Sequence, residues 1–316
     1  MKLETCKRVT SHLRYTDFNT WLRNRFGGRV QKITVDAGMS CPNRDGTLSA
    51  KGCIFCNARG SGTGAYKKGL TVSEQLRKGK VRLGKRYKAK MFMAYFQSYS
   101  NTYAPIEKLS ALYEEALAVD GIVGLSIGTR PDCINESVLA LLQKYALNYM
   151  IWLEYGIQSV HNRTLTFINR GHNLRCFEDT VEKSKNRGIK ICAHVILGLP
   201  YENRQDMMAT AKAMADLEID GIKIHLLYVV KGTPLAYLYN IHQYKCLEKQ
   251  QYIDIVCDFL ERLPSKIVIQ RMTGEPHAAE LIAPLWSLNK KAETLSLINE
   301  EMEKRDSWQG KFRRRQ

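Results

Sequence analysis

Acidic residues are in short supply: 31 Asp and Glu stand against 48 Lys and Arg in 316 residues, leaving a formal net charge of +17. The shortage is sharpest between Lys67 and Lys90, where Glu74 is the one acid beside Lys67, Lys68, Arg77, Lys78, Lys80, Arg82, Lys85, Arg86, Lys88 and Lys90. A field of that sign attracts polyanions, and RNA is the obvious one in a cytoplasm. A solvated basic surface with no partner has the same composition, so charge alone does not decide. Long apolar runs are missing as well. No stretch approaches the eighteen or so residues of a membrane span, and the opening MKLETCKRVTSHLRY lacks the apolar segment of a secretory signal. Both absences predict a cytoplasmic protein with no membrane partner. No linker rich in Pro, Gly or Ser divides the chain, which reads as one domain with C-terminal additions. Nine cysteines, an odd and scattered set, do not form a disulfide framework. Clustered ones read as metal ligands and isolated ones as small buried hydrophobes.

Short apolar runs recur, each followed by a helical pattern. The expected strands are 32–37, 91–96, 121–128, 150–156, 189–197 and 221–230, with amphipathic helices at 106–119, 136–146, 176–188 and 204–217. Strand-then-helix units of about thirty residues argue parallel βα construction, and continuously apolar strands argue coverage on both faces. Six units suit a doubly wound sheet or a partial barrel. No glycine-rich dinucleotide turn follows the first strand, and polar clusters recur just after the strands, where barrels gather their chemistry. The fold class expected is therefore α/β, a partial (β/α)6 TIM-type barrel with C-terminal α/β additions. Those additions comprise a helix at 247–263, a strand at 266–272 and a terminal helix from about 278. The boundaries expected are an N-terminal helical extension at 1–30, the barrel at 31–235 and a C-terminal extension with a basic tail at 236–316.

Directly after the first strand comes CPNRDGTLSAKGCIFC, with Cys41, Cys53 and Cys56 in a Cys-x11-Cys-x2-Cys spacing. Three thiolates are one short of a tetrahedral structural zinc site, which His172, His194 or His225 could complete. They are also one short of the four that usually hold a [4Fe–4S] cluster. Spacing leaves both open, although a chain this large does not need a zinc staple.

Three cysteines after strand one of a six-unit βα chain resemble the radical S-adenosylmethionine (SAM) enzymes. The usual signature of that superfamily has three residues between its first two cysteines; this chain has eleven. The wider spacing is similar to the branch holding the Elongator catalytic subunit and the YhcC/YtqA proteins. So are RFGGRVQKITVDAGMSCPNRDGT, FQSYSNTY, LEYGIQSVHNRTLTFINRGH, HVILGLPYE, RMTGEPH and APLWSLNK, which span the chain nearly end to end.

The resemblance implies a [4Fe–4S] cluster held by Cys41, Cys53 and Cys56, with SAM as the second cofactor and a 5′-deoxyadenosyl radical as the reagent. It also implies an electron donor such as flavodoxin or ferredoxin. By location Gln97 would meet the SAM ammonium; by similarity Gln158 would bond the ribose and Arg170 the methionyl carboxylate. Glu154 belongs to the same cofactor-binding stretch, or forms a buried ion pair. Gly198 in LGLP would let the backbone approach the adenine, or simply lead a helix. Elongator-type and YtqA-like relatives imply tRNA as substrate, with carboxymethylaminomethyluridine at the wobble position remodelled toward aminomethyluridine. A separate tRNA methyltransferase would then complete the modification. The alternatives are radical SAM chemistry on a small molecule such as a porphyrin, and a zinc-stapled RNA-binding protein without catalysis. His172, Tyr228, Lys231, Arg271, His277 and Cys133 follow expected strands or fall in family-like motifs and could touch substrate. GSGTG at 60–64 reads as a lid beside the cluster rather than a phosphate loop, since no Lys-Ser/Thr follows it. Cys6, Cys176, Cys192, Cys246 and Cys257 read as chemically silent.

Overall fold

The computed structural model describes residues 13–57, 60, 64–274 and 276–313. Helix α1 (Phe18–Phe26) starts at Asp17, whose carboxylate accepts the Thr20 amide, and stops at Gly27 in the left-handed region. Strand β1 (Val30–Val35) then leads through a long loop to α2 (Val72–Tyr87), which opens on a Thr71–Glu74 capping box. Alternation follows: β2 (Met91–Phe96), α3 (Ile106–Leu117), β3 (Ile122–Thr129), α4 (Glu136–Ala146), β4 (Met150–Gln158), α5 (Asn162–Phe167), α6 (Leu174–Ser184), β5 (Lys190–Leu197), α7 (Arg204–Asp216) and β6 (Gly221–Leu226). The C-terminal part adds β7 (Val229–Val230), α8 (Pro234–Asn240), α9 (Lys249–Arg262), β8 (Val268–Arg271), β9 (Leu281–Ala283) and α10 (Lys291–Lys304).

Strands β1 to β6 pair in chain order, all parallel, and β8 joins β6 as a seventh. The sheet curls into an open partial barrel with helices outside, so the barrel reading holds and the sheet is one strand wider than expected. The run 221–230, expected as one strand, breaks after Leu226. Val229 and Val230 leave the barrel and pair antiparallel with Leu281–Ala283. The terminal helix begins at Lys291 rather than near 278, because Pro276 and Pro284 cannot continue helical hydrogen bonding.

Helix α1 packs against both edge strands, β1 and β8, and so spans the gap that the open sheet leaves. Just before it, the Ile269 amide donates to the Thr16 carbonyl at 2.8 Å. Its Phe18 and Trp21 rings meet the fully buried Trp152 at centroid distances of 5.6 and 5.5 Å. Trp152 shares a small interior core with Leu22, Val30, Met93, Cys192 and Val268. The period of two then carries polar residues into the next layer: Lys32, Tyr95, Glu154, His194 and Gln270 each lie two positions beyond a member of that core. The main apolar core lies between the outer sheet face and the helices. No helix among the described residues is long and apolar enough to cross a membrane.

Candidate active site

The cysteine loop joins β1 to α2, and neighbouring segments pin it rather than secondary structure of its own. Asn43, 1% exposed, donates through Nδ2 to the Asn169 carbonyl at 2.6 Å and faces the Cys53 Sγ at 3.6 Å. Asn169 returns a bond to the Gly52 carbonyl at 2.7 Å, and Gly52 turns with φ 70°, a conformation glycine adopts at little cost. Arg44 Nη1 reaches the Asn57 carbonyl at 2.8 Å and the Cys56 Sγ at 3.5 Å. The Ile54 backbone bonds Ile168 and Leu235, while Asn57 Nδ2 donates to Glu280 at 2.8 Å. The loop is thereby clamped between the connection after α5, the start of α8 and the β7–β9 flap.

These contacts bring Cys41, Cys53 and Cys56 to one cavity of about 480 Å³ at the C-terminal strand ends. Gln97, Glu154, Gln158 and Arg170 line the same cavity, as do Tyr228, Arg271 and His277. Gly198, His172, Lys231 and Cys133 do not. Gly198 has φ 84°, but its carbonyl accepts the Tyr244 hydroxyl at 2.7 Å, and a Cβ there would meet Leu247. His172 sits behind the cavity, where burial and the guanidinia of Arg170 and Arg130 push it down to about 2. Lys231 Nζ donates to the Ala279 carbonyl. Of GSGTG, residues 61–63 fall outside the described residues, as do Cys6 and the last three residues of the basic tail. A wider hollow of about 1240 Å³ opens at the opposite end, between α1 and the turn from α4 to β4, away from the cysteines.

Two of the expected cofactor contacts are already engaged by the chain. Arg170 donates from Nε and Nη2 to the Gly156 carbonyl at 3.1 and 2.6 Å, and from Nη1 toward Cys53 Sγ at 3.5 Å. Glu154 is fully buried, and its four acceptor positions are taken by Lys32 (2.7 Å), Ser126, His194 (2.8 Å) and Lys223. Burial alone would raise its pKa, but Lys223, Lys32 and His194 hold it well below the usual carboxylate range. Burial pushes His194 down to about 4 and Lys223 down to about 7. Gln158 lies at the irregular end of β4 with φ 75°, where its register against β5 shifts.

The donor set fits an iron–sulfur group. Burial raises the Cys56 pKa, and the neighbouring thiols Cys53 and Cys41 raise it further against the pull of Arg44. Such a triad ionises when a shared cation compensates it. Among the described residues no three His, Cys, Asp or Glu are drawn together tightly enough to hold one metal ion, so the thiols line the cavity without converging on a point. Beside them the buried polar atoms Asn43 Oδ1, Ser100 Oγ and Arg130 Nη1 have no hydrogen-bond partner among the described residues. Arg130 is 2% exposed and grips Asp132 through two bonds of 2.8 and 2.6 Å.

Sequence reasoning missed Arg130, Asn43 and the interior layer of Lys32, Tyr95 and Lys223. A signal for the layer was present: one or two polar residues sit inside otherwise apolar strands, Tyr95 in MFMAYF and Lys223 and His225 in GIKIHL. His194 and His225, entertained as zinc ligands, both line the cavity, with His194 committed to Glu154.

Comparison with known proteins shows the family and the fold. Residues 46–214 match the profile of the Radical SAM superfamily, and residues 219–304 match the Radical_SAM C-terminal domain. YtqA of Bacillus subtilis (strain 168) is 44% identical over 299 residues, covering 95% of this chain and 92% of its own. YhcC of Escherichia coli (strain K12) is 37% identical over 270 residues, 85% of this chain and 86% of its own. The tRNA uridine(34) acetyltransferase of Methanocaldococcus jannaschii is 27% identical over 188 residues, 58% of this chain and 33% of that protein. Among solved structures, archaeal Elp3 of Methanocaldococcus infernus superposes with a TM-score of 0.69 at 19% identity, a likeness of fold. That match covers 89% of this chain and 64% of the longer Elp3 chain.

Proposed function

This chain belongs to the radical SAM superfamily, within its YhcC/YtqA-like branch, and on that premise we propose that it modifies the C5 substituent of the wobble uridine of tRNA. The step is the conversion of carboxymethylaminomethyluridine toward aminomethyluridine. Members of the superfamily use a [4Fe–4S] cluster and SAM. When bound, the two supply reductive cleavage of the sulfonium and abstraction of a hydrogen atom from the substrate. An electron donor such as flavodoxin or ferredoxin must feed that reduction, and a separate methyltransferase can act on the product.

The chain's own residues bind, orient and enclose. Cys41, Cys53 and Cys56 would hold the cluster; Asn43 and Arg170 direct N–H groups at the Cys53 sulfur and Arg44 directs one at the Cys56 sulfur. Gln97, Gln158 and Arg170 frame the SAM site, with Gly156 bare so that Arg170 and Gln158 can close on it. Arg130, with one unpaired nitrogen, is the better-placed donor for the methionyl carboxylate than Arg170, whose nitrogens are already engaged. The β7–β9 flap, carrying Glu280 against Asn57, covers the mouth and limits water.

The observation that carries the tRNA reading is a basic helix beside a cysteine-lined mouth. Exposed Lys67 and Lys68 precede α2, and α2 presents Arg77, Lys78, Arg82, Lys85 and Arg86 to solvent. Phosphate contacts there would position an anticodon arm while its splayed base enters the cavity. The relative named for tRNA uridine(34) supports the same substrate class. Nucleoside mass spectrometry of bulk tRNA from a deletion strain tests it. Carboxymethylaminomethyluridine should accumulate and aminomethyl-derived nucleosides should fall; an unchanged wobble-uridine profile overturns the reading.

A further inference from the structure

The cavity floor holds more positive charge than the described residues balance. Its buried layer sets Lys32 and Lys223 against the single carboxylate of Glu154. Arg271, one strand over, is the register partner of Lys223 and lines the cavity. Among the described residues four arginines line this cavity. Arg44 is spent on the Cys56 and Asn57 carbonyls, Arg130 on Asp132 and Arg170 on the Gly156 carbonyl. The Arg271 side chain makes no hydrogen bond or ion pair to any described residue. The other lining acid, Glu280, is at the flap and holds Asn57. Burial, then Arg271 and His194, hold His225 well below its ordinary value, as befits an imidazole beside an unbalanced cation. A half-buried guanidinium with no anion and no acceptor is a cost unless a ligand removes it.

We propose that Arg271, with Lys223 and His225 beside it, is a subsite for a carboxylate carried by the substrate. The inference rests on the function proposed above, in which the uridine substituent ends in a carboxylate. The planar fork of Arg271 suits that group. The methionyl carboxylate is the rival occupant. Arg130 and Arg170 serve it on the cysteine side, whereas Arg271 ends β8 among Tyr228, Gly274 and His277.

The test uses the reconstituted holoenzyme with SAM and no reductant, so that binding is read without turnover. Two anticodon stem–loops are compared, one carrying carboxymethylaminomethyluridine and one its carboxamide. The wild type should bind the acid about tenfold or more tighter than the amide, the worth of a charge-assisted hydrogen bond. Arg271→Met should bring the ratio to about one, and Arg271→Lys should keep part of it, while SAM affinity is unchanged in both. A wild-type ratio near one, which needs no variant to measure, overturns the subsite. So does a ratio that survives Arg271→Met, or a loss confined to SAM affinity, which would assign Arg271 to the cofactor. Reductant is then added. A preference for the acid without conversion leaves the subsite standing and removes the proposed reaction; conversion with no preference does the reverse.

Discussion

Cys41, Cys53 and Cys56 face one hollow, so the ligand assignment is testable one residue at a time. After anaerobic reconstitution, iron and sulfide analysis should give about four irons per chain for the wild type. Cys41→Ala, Cys53→Ala and Cys56→Ala should each lose the cluster, while Cys257→Ala, buried in α9 against the Ile298 carbonyl, should keep it. Retention in any of the three overturns the assignment. That these cysteines share one cavity was legible because they fall close together in the loop after β1. The Lys223 to Tyr95 bond was not, because its partners lie 128 residues apart and meet only once the sheet has curled. The same layer makes a stability prediction. Burial holds His194 at about 4, against an ordinary value of 6.5, so on acidification the unfolded chain takes up the proton first. Its contribution is present above about pH 6.5 and is lost as pH falls toward 4, roughly 2 kcal/mol of it between pH 7 and 5. Urea unfolding of the cluster-free chain should show that loss, and His194→Gln should show about 2 kcal/mol less of it. Equal losses in the two proteins refute the account.

At the scale of elements, the end of β4 does the positioning. Gly156 does not have a positive φ, so alanine is allowed there by the backbone. A Cβ would nevertheless lie 2.7 Å from Arg170 Nη2 and 2.7 Å from Gln158 Nε2, the tips of the two side chains proposed to frame SAM. Because those tips can swing aside, Gly156→Ala should fold and bind its cluster. Its SAM affinity should fall by about tenfold, the cost of displacing one good polar contact. Equilibrium SAM binding on the reconstituted variant checks this; unchanged affinity would mean that neither side chain touches the cofactor. Strand positions were readable because six strands covered on both faces are nearly continuously apolar. The split at Leu226 and the late start of α10 were not, since a two-residue strand gains its meaning from β9, about fifty residues on.

For the whole molecule, the excess of basic residues was countable from composition, but the face it occupies was fixed only by the fold. Tyr66 packs on Gly38, which brings the start of the basic segment to the rim where the cysteine loop begins. From there α2 packs on β1 and α3, with Leu76 and Gly79 inward and Lys78, Arg82 and Lys85 outward on successive turns. Lys80 is diverted to Asp120, and among the described residues Lys78, Arg82 and Lys85 of this outer stripe form no ion pair, with Glu74 the nearby acid that Lys78 feels. If that stripe holds phosphates, replacing Lys78, Arg82 and Lys85 together by Gln should weaken tRNA binding uniformly. It should also flatten the dependence of log K on log salt by about 2, since each lost phosphate contact removes roughly 0.7 to 0.9. Exposed substitutions of this kind move stability by only about 0.5 kcal/mol each, so folding and cluster content should be preserved. Gly156→Ala, which acts inside the mouth, should leave the salt slope where it was. The two variants thus separate the handle from the pocket, and a triple variant with the wild-type slope would show that tRNA approaches by another face.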